Sequence, residues 1–233
     1  SSDRFESVLD PLVLDILNTV IKEPNVELSM KVMKLIMNKF LTNTKVRKGE
    51  KTHTPGFDLT LKFCEQNSEK LSRMVTKLLS DLLYEAAKID DLDSDSDLDS
   101  DDERTAVDRF HLKTDQQQQK VQLNKIHTLM IELWRYVPET LSSATGLLEN
   151  ELEADDILIR TVATKAVGHI LSINSTLNFA TTHPLTFTHW LKKPLDVNSN
   201  VRRAWISQLS RVIESRLDLK NEIQFAITTT LTD

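Results

Sequence analysis

The sequence predicts an all-α fold in which pairs of helices stack into a solenoid, and two observations support this. Only 4 Gly and 6 Pro occur among 233 residues, which favours helices over a sandwich or a barrel. The Ile159-Arg160 and Val201-Arg202 pairs lie 42 residues apart, and each follows a turn with an aspartate, Asp156 or Asp196. Repeats of about 40–47 residues are typical of HEAT arrays. Such arrays form long binding surfaces rather than closed catalytic pockets.

Four helices are predicted in an N-terminal unit of HEAT-like helices over residues 1–88. The first, 11–22, opens with Pro11, because proline is favoured in a first helical turn. A polar loop that ends in Pro-Gly is expected over 43–56, and two further helices over 57–65 and 68–87. The helix before the loop, 27–41, has apolar residues at helical spacing, at Leu28, Val32, Leu35, Ile36 and Phe40.

An acidic and Gln-rich insert over residues 89–119 is predicted to be disordered, because it has no apolar stripe to bury. Residues 90–103 hold nine acidic groups and no base, so the net charge of −6 on the whole chain becomes +3 on the remainder. Ser94, Ser96 and Ser100 each have an acidic residue three positions on, which makes them candidate phosphorylation sites. The alternative is an unmodified, solvated acidic loop.

Regular HEAT repeats are predicted over 120–233. A helix over 121–137 stops at Pro138, and the pairs 139–152 with 156–171 and 175–192 with 200–217 follow. A last helix starts near 219, and Leu231-Thr-Asp233 resembles the start of another repeat, so we expect a longer array.

Two arginines, Arg160 and Arg202, fall inside the apolar arcs of their helices. A charged group on a packing face needs a partner. The turn carboxylates Asp156 and Asp196 are the predicted partners, which gives an Asp–Arg ladder along the solenoid.

Motifs for catalysis, cofactors or metals are absent from the sequence. The single cysteine, Cys64, excludes a disulfide framework and a thiolate metal cluster, and no glycine-rich phosphate loop occurs. We find no apolar run long enough to span a membrane and no signal peptide at the start. The sequence therefore predicts a non-enzymatic protein of the cytosol or nucleus, with no cofactor.

A basic cluster supplies the candidate partner-binding residues: Lys192, Lys193, Arg203 and Arg211. Such a ridge can bind an acidic peptide through charge-assisted hydrogen bonds. It can also bind nucleic acid through phosphates. Two functions follow, a protein-interaction scaffold and, as the alternative, a direct nucleic-acid-binding helical-repeat module. A third possibility is an ordinary solvated face.

An ordered series of segments resembles the cohesin-associated "precocious dissociation of sisters" family of HEAT-repeat proteins. The acidic insert suggests a fungal member. The segments are LNKIHTLMIELWRYVP (123–138), LENEL (148–152), IRTVATKAVG (159–168), WLKKPLD (190–196) and NVRR (200–203).

The resemblance implies a nuclear, chromosome-associated scaffold that regulates sister chromatid cohesion by binding the kleisin subunit of cohesin. It also implies that the wings-apart-like releasing factor and the cohesin acetyltransferase are further partners.

Overall fold

The computed structural model describes residues 2–22, 26–47, 56–91, 106–174 and 177–232, and every regular element within these ranges is helical. The predicted all-α class is confirmed. Short 3-10 turns occur at Ser142–Ala144, Lys193–Leu195 and Leu217–Leu219. The α-helices are α1 (Ser2–Lys22), α2 (Val26–Arg47), α3 (Phe57–Gln66), α4 (Ser68–Asp91), α5 (Ala106–Tyr136), α6 (Pro138–Leu141), α7 (Thr145–Leu152), α8 (Ile157–Leu171), α9 (Phe179–Thr182), α10 (Pro184–Leu191), α11 (Ser199–Ser215) and α12 (Lys220–Thr232).

The helices form two layers. In one layer, α2 packs on α5, α5 on α8, and α8 on α11. The other layer holds α4, α6, α7 and α10, of which α4 contacts α5 and α6, and α7 contacts both α8 and α10. Because α8 and α11 begin 42 residues apart, the sequence period corresponds to one pair of stacked helices. This arrangement is that of a HEAT-type α-solenoid.

Aromatic side chains fill the seams between neighbouring pairs. The rings of Trp134 on α5 and Phe179 on α9 meet edge to face, with centroids 4.9 Å apart. In the next seam the ring centroids of Trp190 and Trp205 lie 5.3 Å apart. The indole N–H of Trp190 donates to the backbone oxygen of Thr164 at 3.0 Å. All three tryptophans are buried, as expected for a core that is continuous from one repeat to the next.

Gly168 marks the closest approach of α8 to α11. A Cβ atom placed at residue 168 would lie 2.6 Å from the Cβ of Gln208 and 3.3 Å from the Trp190 ring. Only glycine leaves room for the two helices at this separation. The position is therefore a packing requirement of the repeat seam rather than a flexible point.

Three predicted boundaries were wrong. α1 begins at Ser2 and contains Pro11 in its interior, so Pro11 does not open the helix. α2 continues to Arg47, into the predicted loop. α5 begins at Ala106 rather than near residue 120, so residues 106–119 are helical and not disordered. Residues 92–105, with Ser94, Ser96 and Ser100, lie outside the described residues.

Some residues of the predicted apolar stripes are exposed. Leu28 is 41% exposed and Leu35 is 69% exposed, because the buried arc of α2 runs through Met33, Ile36 and Phe40. On α11, Ile206 is 63% exposed. Its counterpart 42 residues earlier, Thr164 of α8, is fully buried, because α11 packs against α8. No described helix of the same layer follows α11 to cover Ile206.

Candidate interface across three packed helices

An open groove of about 790 Å³ runs across α5, α8 and α11. We call it the three-helix groove. Its walls come from the middle of α5 and from the first three turns of α8 and α11. The residues that line it are Gln116, Gln117, Gln119, Lys120, Asn124, Asp156, Ile157, Leu158, Thr161, Val162, Lys165, Asn200, Arg203, Ala204 and Ser207.

Each of the three helices contributes one exposed cation to the groove: Lys120 from α5, Lys165 from α8 and Arg203 from α11. Within the described ranges, none of these cations forms an ion pair. The one acidic residue of the lining, Asp156, caps α8, and its Oδ1 accepts the backbone N–H groups of Leu158 and Ile159 at 2.6 and 3.2 Å. The groove is therefore basic.

The predicted basic cluster does not form one surface. Arg203 lines the groove, whereas Lys192 and Arg211 are exposed outside it. Lys193 is 6% exposed, and its Nζ donates to the backbone oxygen of Leu152 at 2.6 Å and to Glu153 at 2.9 Å. Lys193 thus connects α7 to the turn after α10. The prediction that Lys193 belongs to a partner-binding cluster was wrong, because a buried ammonium group that is already paired cannot contact a partner.

A largely buried ion pair joins Arg160 of one repeat to Asp196 of the next. The guanidinium forms a fork on the carboxylate, with Nε–Oδ2 at 3.0 Å and Nη2–Oδ1 at 3.4 Å. Its Nη1 donates to the backbone oxygens of Ala154 and Asp155, both at 2.7 Å. The side chains of Arg160 and Asp196 are 12% and 7% exposed. The pair therefore fixes two consecutive repeats to each other.

The pairing predicted within each repeat was wrong. Asp156 is four residues before Arg160, whereas Asp196 is six before Arg202, so the two aspartates are not equivalent. The equivalent of Asp156 is Asn198, which caps α11 by accepting the N–H of Asn200. Arg202 makes the same kind of backbone contacts as Arg160, because its Nη1 donates to the backbone oxygens of Asp196 and Val197 at 2.7 and 3.0 Å. No carboxylate of the described chain pairs with it.

Gln119, Lys120 and Lys165 are among the groove residues that sequence reasoning missed. Gln119 is 2% exposed and its Nε2 lies 3.5 Å from Oδ2 of Asp156. The run of glutamines concealed it, because such a run suggests disorder. Lys165 lies five residues after Arg160, outside the apolar arc of α8, and that outward position was the available signal.

A buried His–Glu pair lies in the seam between α5 and α7. His127 is 2% exposed; its Nδ1–H donates to the Leu123 oxygen at 2.7 Å, and its Nε2 lies 3.0 Å from Glu151. Burial disfavours protonation, but the charge and hydrogen bond of Glu151, with the Leu123 contact, outweigh it. Together they raise the pKa of His127 above its usual 6.5.

The pair makes stability depend on pH. A raised folded-state pKa contributes stability that is complete below the unfolded pKa of about 6.5 and is lost as pH rises through the folded pKa. We expect the free energy of unfolding to fall with rising pH in that window, by up to about 1.4 kcal/mol per pH unit. Urea melts between pH 6 and 8 test this, with His127→Gln as the control that loses the slope. Parallel pH profiles for the two proteins would contradict it.

Features of an active centre are not found in the described part of the chain. Burial, with the nearby Glu65 carboxylate, raises the pKa of the Cys64 thiol to about 12, so it stays protonated. The described His, Cys, Asp and Glu residues form no group of three that could hold a metal ion. No described helix is long and apolar enough to cross a membrane.

Stacked helix pairs, two of whose helices begin 42 residues apart, with an ion pair across a repeat boundary, define the chain as a HEAT-repeat α-solenoid. The model of the PDS5 family, described as "Sister chromatid cohesion protein PDS5 protein", matches residues 1–233. The chain therefore belongs to the PDS5 family of sister chromatid cohesion proteins, for which "precocious dissociation of sisters" is another name.

Relatives in two yeasts agree with this assignment. The sister chromatid cohesion protein PDS5 of Saccharomyces cerevisiae is 30% identical over 232 residues, which are 98% of the chain and 16% of the relative. Sister chromatid cohesion protein pds5 of Schizosaccharomyces pombe is 29% identical over 167 residues, 70% of the chain and 12% of the relative. The chain thus spans less than a fifth of either relative.

A solved structure of the Pds5–Scc1 complex contains a chain of the same fold. The two chains are 31% identical and superpose with a TM-score of 0.68, over 88% of this chain and 28% of the other.

Proposed function

We propose that this chain is part of a non-catalytic scaffold that regulates cohesin and sister chromatid cohesion by binding the kleisin subunit. The observation that carries the proposal is the similarity to a chain in the Pds5–Scc1 complex, which extends over 88% of the sequence. An array of stacked helix pairs is suited to holding an extended partner. Scc1 is the kleisin of that complex.

The same family membership supports two finer proposals. The scaffold acts in the nucleus on chromosomes, and it recruits the wings-apart-like releasing factor and the cohesin acetyltransferase. The naming of both yeast relatives as sister chromatid cohesion proteins supports the first proposal, and the second follows from membership of the PDS5 family alone.

Direct titration of the purified chain with the kleisin tests the main proposal. We expect a saturable complex by calorimetry, with the full-length Saccharomyces cerevisiae relative as a positive control. If the relative binds the kleisin and this chain does not, kleisin binding does not belong to this part of the protein.

A nucleic-acid-binding module is the second candidate, because the three cations of the groove lack ion-pair partners in the described chain. Binding through phosphates weakens as a power of salt concentration, with a slope of about −0.7 to −0.9 per contact. Titrating a DNA oligonucleotide and the kleisin at 50 and 200 mM salt separates the candidates. DNA binding with such a slope, and no kleisin binding, would favour the alternative.

A further inference from the structure

We propose that the three-helix groove binds an acidic peptide segment of a partner protein, extended across α5, α8 and α11. This goes beyond kleisin binding and does not rest on it, because the proposal concerns one surface and the chemistry of its occupant. Kleisin could bind elsewhere on the array while this groove holds another protein.

The first argument is charge. Lys120, Lys165 and Arg203 come from three consecutive helices of one layer, and all three are exposed at the groove. The only acidic lining residue, Asp156, already accepts the N–H groups that begin α8 and lies within reach of Gln119. Three cations without acidic partners in the described chain favour carboxylates from outside, because opposite charges attract most where they are not already paired.

Geometry sets the length of the occupant. Packed helices lie about 8–10 Å apart, so a ligand that reaches all three helices spans roughly 20 Å. Extended chain covers about 3.3–3.6 Å per residue, which corresponds to about six residues. A segment of six to eight residues with acidic side chains at intervals can therefore meet one cation on each helix.

The apolar floor of the groove favours a peptide with an apolar side chain at its centre. Ile157 is 43% exposed, and it lies beside the partly buried Leu158 and the buried Val162 and Ala204. An apolar side chain in the middle of the segment would cover Ile157. The amides of Asn124 and Asn200, also in the lining, can bond the peptide backbone.

The residues that line the three-helix groove disfavour nucleic acid as its occupant. Proteins that bind DNA tightly through its backbone make about 6–10 phosphate contacts, whereas this groove offers three cations. Single-stranded nucleic acid is held by base stacking on aromatic side chains, and none of the residues that line the groove is aromatic.

A designed peptide tests the proposal without knowledge of the partner. The probe is a fluorescein-labelled octapeptide with six acidic residues and two central leucines, titrated with the complete chain by fluorescence anisotropy. Arg203→Glu and Lys165→Glu should each weaken binding about tenfold, because reversal replaces an attraction with a repulsion of similar size. Arg211→Glu is the matched control, since Arg211 is exposed on the same helix but outside the groove, and it should change binding less than twofold.

Three results would overturn the proposal. One is equal weakening by Arg203→Glu and Arg211→Glu in proteins of unchanged helicity, which would leave only non-specific attraction. Another is tighter binding of an eight-nucleotide single-stranded DNA than of the peptide, with the same dependence on Arg203. The third is a tenfold or greater gain in peptide affinity when Asp93, Asp95, Asp97 and Asp99 are changed to Asn, which would assign the groove to the acidic residues of this chain.

Discussion

Replacing Arg160 with alanine is expected to lower the free energy of unfolding by about 3 kcal/mol. Removal of one partner from a buried ion pair costs about 3–5 kcal/mol, because the other charge is left desolvated. The lower end applies here, since Asp196 keeps the hydrogen bond from the N–H of Asn198 at 2.8 Å. Chemical denaturation followed by circular dichroism measures the loss.

Arg202→Ala is the matched control for this change. Arg202 and Arg160 each donate from Nη1 to the backbone oxygens five and six residues before them, but only Arg160 has the carboxylate. We expect Arg202→Ala to cost about 1–2 kcal/mol, because its two hydrogen bonds are each worth about 1 kcal/mol or less at a partly exposed site. Equal losses at the two arginines would show that the ion pair adds nothing to the seam.

Gly168→Ala is expected to destabilise the protein by about 1–3 kcal/mol. The added methyl group would lie 2.6 Å from the Cβ of Gln208, so α8 and α11 must separate or shift, and overpacking of this kind has that cost. The gain in helix propensity, about 1 kcal/mol, offsets only part of it. Thermal melts of the variant should therefore show a clear fall in Tm.

Gly146→Ala gives the opposite expectation. Gly146 lies in α7, and nothing within 4 Å would meet a Cβ atom there. Only the higher helix propensity of alanine then affects stability, and the free energy of unfolding should stay constant or rise by up to about 1 kcal/mol. Destabilisation at both glycines would mean that the close approach of α8 and α11 is not what requires glycine at 168.

The fold could be predicted from the sequence because its determinants are periodic. The 42-residue interval between the Arg160 and Arg202 segments recurs as the interval between the starts of α8 and α11. Apolar spacing located α3, α4 and α8 to within a few residues. The start of α5 at Ala106 was not found this way, because the acidic run before it and the glutamines at 116–119 suggested disorder.

The groove was harder to predict than the fold. Arg203 was identified because it projects from the apolar arc, but Lys193 follows Lys192 in the sequence and gave no sign of its burial. Helical projection places a side chain on a face of its own helix and cannot show which neighbouring helix covers that face. For the same reason, the partner of Arg160 was sought in its own repeat, whereas stacking brings Asp196 of the next repeat closer.

The Arg160–Asp196 contact also bears on function. The ion pair joins α8, which carries Lys165, to the turn that leads into α11, which carries Arg203. Their separation across the three-helix groove is fixed only if the seam is rigid, and a rigid site spares a bound peptide the cost of ordering the protein.

The central claim is that consecutive repeats are joined by an arginine of one and a carboxylate of the next, and a double-mutant cycle tests it most directly. The cycle combines Arg160→Ala with Asp196→Asn, and a second cycle combines Arg160→Ala with Asp156→Asn. We predict a coupling of about 1–3 kcal/mol between 160 and 196 and less than about 0.5 kcal/mol between 160 and 156. Strong coupling to Asp156 with none to Asp196 would contradict the account.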